Sequence, residues 1–188
     1  MRYATIVADP PWQVDAGPRV GREGFGDATG ASRPLAYPSL TVDQIAAMPI
    51  SSVADDAAHL YLWTINRYLD DAFDIARSWG FRFSTLLTWT KNPMGGGLGG
   101  CYGISTEFVL FCRRGVLKST ARVGTTWFNW KRPYDARGKP RHSAKPTEFQ
   151  AMVESVSPGP YLELFARAPR AGWDSWGNEV DKFDETAA

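Results

Sequence analysis

The chain is poor in the residues that build most covalent and metal-based sites. It has two cysteines and two histidines in 188 residues. Cys101 and Cys112 lie eleven apart, which is no metal-ligand spacing, and a reduced, cytoplasmic protein is the simplest reading. No Ser/His or Cys/His constellation suggests itself, and no metal is expected. No apolar run reaches membrane-spanning length, so no membrane partner is expected. The first residues, Met-Arg-Tyr-Ala-Thr, lack the apolar core of a signal peptide. A Gly run at 95–97 is followed by no GK[ST], so it is no phosphate loop.

What remains is a chain of one-domain length, 44% hydrophobic and 22% charged, with eight tryptophans. Its net charge of +1 conceals an asymmetry. Arg113 to Lys145 holds ten Lys/Arg and one acid, Asp135, a sum of +9 that leaves −8 for the rest. A cationic segment of that density suits a nucleic acid backbone, or is a solvated basic loop.

Hydrophobic patterning predicts strands at 2–8, 59–64, 83–91, 105–114 and 161–167, with 173–179 following closely. A capping-box pattern at Thr41–Gln44 starts a short helix that Pro49 ends. Asn66 can cap a second helix, with Leu69, Phe73 and Ala76 on one face and Gly80 as terminator. A third starts at Pro146, with Phe149, Met152, Val153 and Val156 inward. Alternating strands and helices predict a doubly wound α/β domain with a largely parallel sheet over residues 1–188. The segments at about 13–38 and 115–141 are expected to be mobile loops. Ligands of such sheets bind beyond the carboxyl ends of strands. Asp9, Thr64, Lys91, Arg114 and Arg167 are each near a predicted end and are expected to line one crevice.

The stretch "VADPPWQ" stands at the first of those ends. Proline lacks an N–H but keeps its carbonyl, and its ring constrains where that carbonyl points. Asp9 and the Pro10 carbonyl therefore offer two acceptors, suited to an amino group with two hydrogens. Trp12 offers a face for a planar ring beside them, or plugs the core.

"ADPPW", "YLWT", "WTKN", "STEFVLFCRRG", "HSAKP" and "LELFAR…WGNE" occur in this order. Together they resemble the MT-A70 family of adenine methyltransferases, from about Thr5 to Glu179. The resemblance implies a Rossmann-like methyltransferase fold in permuted order, with the catalytic motif before the cofactor strand. It implies S-adenosylmethionine as cofactor, S-adenosylhomocysteine as product, and the exocyclic N6 of adenine as target. Asp9, Pro10, Pro11 and Trp12 would then be catalytic: the acceptors orient the amino group, and Trp12 stacks on or walls in the base. Asp9 would also face the cofactor, together with Arg114, His142, Ser143, Lys145, Phe165, Arg167, Asn178 and Glu179. Arg114 stands where many members have a lysine near the methionine carboxylate.

The compact chain looks like the bacterial and phage members, so DNA is the expected partner, with RNA or an inactive binding subunit as alternatives. Lys91, Lys118, Arg122, Trp127, Trp130, Lys131, Arg132, Tyr134, Arg137 and Lys139 are the expected nucleic-acid contacts. The aromatics among them either stack on bases or pin the loop to the core. A monomer or weak homodimer is expected.

Overall fold

The computed structural model describes residues 1–13, 38–91, 102–139, 141 and 144–177. One seven-stranded sheet runs through them in the order β5-β3-β4-β2-β1-β6-β7. In chain order the elements are β1 (Tyr3–Ala8), α1 (Val42–Ala46), α2 (Ile50–Val53), β2 (Ala54–Thr64), α3 (Leu69–Ser78), β3 (Arg82–Thr90), β4 (Thr106–Arg114), β5 (Trp127–Phe128), α4 (Thr147–Val156), β6 (Tyr161–Leu164) and β7 (Trp173–Trp176). Four neighbouring pairs are parallel: β1 with β2, β1 with β6, β6 with β7, and β3 with β5. The two pairs made by β4 are antiparallel.

Strands β1 and β2 are apolar along most of their length because both of their faces are covered, as central parallel strands require. Ile6, Ala8, Leu60 and Leu62 pack on one face with Ile45, Ile75 and Trp79 of the α1–α3 layer. Val7, Tyr61 and Trp63 pack on the other with Phe149 and Val153 of α4. Thr41 and Gln44 form the reciprocal capping box at the start of α1.

Several boundaries differ from the sequence expectation. β2 begins at Ala54, where Ala54 and Ala58 turn inward between exposed or half-buried acids. Pro49 does not end α1, which stops at Ala46; it is the N-cap of α2. Asn66 caps nothing with its side chain and instead opens a 3-10 turn to Tyr68. β6 stops at Leu164 because Phe165 adopts a left-handed φ of 63°. The short strand β5, hidden in the basic segment, extends the sheet beyond β3.

The antiparallel β4 matters most for function. It places the start of β4 at the same end of the sheet as the C-terminal ends of β1, β2 and β3, and puts Arg114 at the opposite end.

Candidate active site

Asp9 is the residue after β1, and its side chain falls on the α4 face, as Val7 does. Lys145 comes from the chain just before α4 and Glu107 from the second position of β4. Lys91 comes from the residue after β3. They form one chain of alternating charge. Lys145 Nζ lies 2.9 Å from Asp9 Oδ1 and 3.0 Å from Glu107 Oε2, and Lys91 Nζ lies 2.6 Å from Glu107 Oε1. Two indoles floor this chain: Lys145 sits 5.0 Å above the Trp63 ring and Lys91 5.9 Å from that of Trp89.

Burial sets the electrostatics. Loss of water pushes the Asp9 carboxyl above its ordinary value, against the pull of Lys145 and Arg167. Burial presses Glu107 upward too, but Lys145 and Lys91 outweigh it and hold its carboxyl at about 2. Burial alone would lower the Lys145 ammonium; the two facing carboxylates raise it instead. One strand further out, burial pushes Glu163 up to about 7. Gln150 of α4 donates to its Oε2 at 2.9 Å. Ser175, in register with Glu163 on β7, keeps a buried hydroxyl without a hydrogen-bond partner among the described residues.

The structure revises several expected roles. Arg114 is seven residues along β4 from Glu107, about 23 Å in an extended strand. Its guanidinium donates to the Ser51 carbonyl, so it does not join the cofactor residues around Asp9. Trp12 is only 5% exposed. Its ring stacks on Tyr68 at 5.0 Å and its Nε1 donates to the Trp63 carbonyl. It plugs the core instead of offering a face to a base. The Pro10 carbonyl is not bare, because it accepts the Trp12 N–H at 2.8 Å in a three-residue turn centred on Pro11. A carbonyl has a second lone pair, so one acceptor position is left. Lys91 points into the charge chain, with its ammonium on Glu107.

The expected nucleic-acid residues divide between two ends. Thr120 bonds to the Val156 and Ser155 carbonyls at the C-terminal end of α4, and that anchors the stretch carrying Lys118 and Arg122 away from Asp9. β5 then leads back toward the site. Trp130 pins this return: it stacks on Phe128 at 4.3 Å, and its carbonyl accepts from Trp89 Nε1. Trp127 and Tyr134 are 56% and 40% exposed and keep free ring surface. Asp135 Oδ1 accepts from the backbone N–H groups of Arg137 and Lys139, making a tight turn with both side chains exposed. Lys131 is exposed and Arg132 half-buried. Phe165 is half-buried edge-on to Trp176, and Arg167 is close enough to Asp9 to bias its charge. His142, Ser143, Asn178 and Glu179 lie outside the described residues.

Glu107, Trp63 and Glu163 belong to the site without having been singled out in the sequence. Glu107 and Glu163 carried a signal, an acid inside an apolar strand at an inward position, in "TEFVLF" and "YLEL". The arrangement can hold a small polar group against a buried carboxylate while Lys145 balances the charge.

The MT-A70 family model matches residues 3–179. The Type II methyltransferase M.MunI of Mycoplasma sp is 28% identical, over 95% of this chain and 78% of its own length. The human N(6)-adenine-specific methyltransferase METTL4 is 29% identical over 96% of this chain, which spans 38% of it. The human N(6)-adenosine-methyltransferase catalytic subunit METTL3 is 23% identical over 96% of this chain, which spans 28% of it. With the sheet order and the charge chain, these matches define an adenine-specific methyltransferase of the Rossmann-like α/β class. The chain belongs to the MT-A70 family.

Proposed function

We propose that the protein methylates the N6 amino group of adenine in DNA, with S-adenosylmethionine as methyl donor. The observation that carries this reading is the buried Asp9 carboxylate at the end of β1, with Lys145 on one of its oxygens. Asp9 Oδ2 and the remaining lone pair of the Pro10 carbonyl accept the two N6 hydrogens. The adenine amino group is a poor nucleophile because its lone pair is delocalised into the ring. Holding its hydrogens out of the ring plane and excluding water exposes that lone pair. The methylated nitrogen is strongly acidic, so no strong base is needed, and Asp9 is placed to take the proton.

The residues present fit the cofactor, which carries a carboxylate, an ammonium group and ribose hydroxyls. Lys145, Arg167, Glu163 and the Ser175 hydroxyl, which has no hydrogen-bond partner among the described residues, gather cationic, anionic and neutral polar partners around the adjacent ends of β1, β6 and β7. These residues would hold it, and when bound it supplies the electrophilic methyl group.

DNA is supported by the Type II methyltransferase relative, most of whose length the chain covers. RNA is the alternative raised by the relatives named for adenosine, which the chain spans over about a quarter of their length. A monomer or weak homodimer of one domain, acting in the cytoplasm, completes the reading. A radiolabelled methyl-transfer assay on single- and double-stranded DNA and RNA, with product nucleosides identified, tests it. N6-methyldeoxyadenosine is the expected product. Asp9→Ala is expected to lower the rate by at least about a hundredfold with the fold intact. Near-normal turnover by that variant would overturn the mechanism, and product only in RNA would overturn the DNA assignment.

A further inference from the structure

We propose that Lys91 is a positioning residue: by holding Oε1 of Glu107 it keeps Oε2 on Lys145, and so fixes Lys145 between Glu107 and Oδ1 of Asp9. The proposal rests on the role given to Asp9 above. The four groups come from four different places, the ends of β1 and β3, the start of β4 and the approach to α4. Their side chains are all mostly buried, none more than 19% exposed. Two acids and two lysines balance there. A lysine that serves a nucleic acid backbone leaves its ammonium to solvent or phosphate. The Lys91 ammonium instead contacts Glu107 at 2.6 Å and lies near the Trp89 ring.

Without Lys91, Lys145 alone of the two lysines in this cluster is left facing the two buried carboxylates. It is drawn toward Glu107, whose second oxygen has lost its partner, and its hold on Asp9 loosens. Asp9 then takes a proton more readily, and a protonated Asp9 has lost the charge that orients the amino group. The charged groups acting on Asp9 among the described residues are Lys145 and Arg167, which favour its ionised form, and Glu107 and Glu163, which oppose it. Removing Lys91 shifts this balance one way, and removing the charge of Glu107 shifts it the other. A general loss of packing would not produce opposite signs.

Carboxyl-carbon NMR titrations of the wild type, Lys91→Met, Lys91→Arg and Glu107→Gln, with the Asp9 signal assigned by its loss in Asp9→Asn, test this. Lys91→Met is expected to raise the Asp9 midpoint by about half a pH unit or more. Glu107→Gln is expected to lower it, and Lys91→Arg, which keeps the charge, to restore it. The acid limb of kcat/KM moves in the same directions, with KM for the nucleic acid within about twofold of wild type. An unmoved Asp9 midpoint in Lys91→Met would overturn the proposal. So would a loss seen only as a higher KM with the salt slope reduced by about one, because that marks a phosphate contact. If Lys91→Met does not fold, Lys91→Gln takes its place, and an unmoved Asp9 midpoint there would overturn the proposal. The titrations need no turnover, so an inactive wild type would sink the functional reading and leave this test standing.

Discussion

The Lys145 ammonium lies 2.9 Å from Asp9 Oδ1, although 136 positions of sequence separate the two residues. β1 and β6 pair in parallel, and α4, which leads into β6, starts over the end of β1. The residue before the α4 N-cap is thereby brought to the residue after β1. Sheet topology therefore makes the site, and the local sequence at each end supplies the charges.

That contact gives a first prediction. Lys145→Met leaves Asp9 and Glu107 facing each other with Lys91 as the remaining lysine of the charge chain. Removing one partner of a buried ion pair costs about 3 kcal/mol or more. Denaturant titrations at pH 7 are expected to show a loss of that order with an unchanged slope. Methyl transfer is expected to fall by at least about a hundredfold. Adding Asp9→Asn to the variant removes one of the two opposed carboxylates and is expected to recover part of the stability but none of the activity. A stability equal to wild type in Lys145→Met would show that the contact contributes nothing.

The capping box at Thr41 and the strand over 3–8 were legible because local hydrogen bonding and apolar runs decide them. β5 was not, because two residues between cations carry no periodicity and their pairing with β3 is a tertiary event. Motifs singled out Asp9 and Lys145, and the structure brings their side chains into contact. Arg114 was misplaced because nothing within "FVLFCRR" tells whether that strand runs with or against its neighbours. Trp12 was ambiguous because residue type does not say which side of the chain a ring takes after a strand ends. Tyr68, which stacks on it, comes from a different part of the chain. Lys91 carried a charge but no hint that Glu107 neutralises it.

The two-ended layout of the basic segment makes a second prediction. Lys131, Arg137 and Lys139 are exposed and follow the strand that runs back toward the site, whereas Lys118 and Arg122 are anchored near the other end of α4. Each phosphate contact contributes about 0.7 to 0.9 to the slope of log binding constant against log salt. The triple variant Lys131→Gln, Arg137→Gln, Lys139→Gln is expected to flatten that slope by about two for a short oligonucleotide. Lys118→Gln with Arg122→Gln is expected to leave it unchanged. Fluorescence anisotropy over a salt series checks both. An equal effect from the two sets would mean that the nucleic acid spans the whole length of the sheet.

Glu163 supports a third prediction, about pH. Burial raises its carboxyl from an ordinary 4.5 to about 7, with Gln150 opposing the shift. The unfolded chain gives up this proton near pH 4.5, and the folded one keeps it until about pH 7. Ionising Glu163 therefore weakens the fold progressively between those values, and the full cost is present above them. The shift corresponds to about 3 kcal/mol. Glu163→Gln keeps the size and an acceptor for Gln150 but carries no charge. Without cofactor it is expected to be more stable than wild type at pH 8 by about 2 kcal/mol, and equal to it near pH 4. Denaturant midpoints measured across that range decide the matter. A stabilisation of the same size at both ends would assign the effect to packing, and no stabilisation at pH 8 would mean that Glu163 already has a partner for its charge.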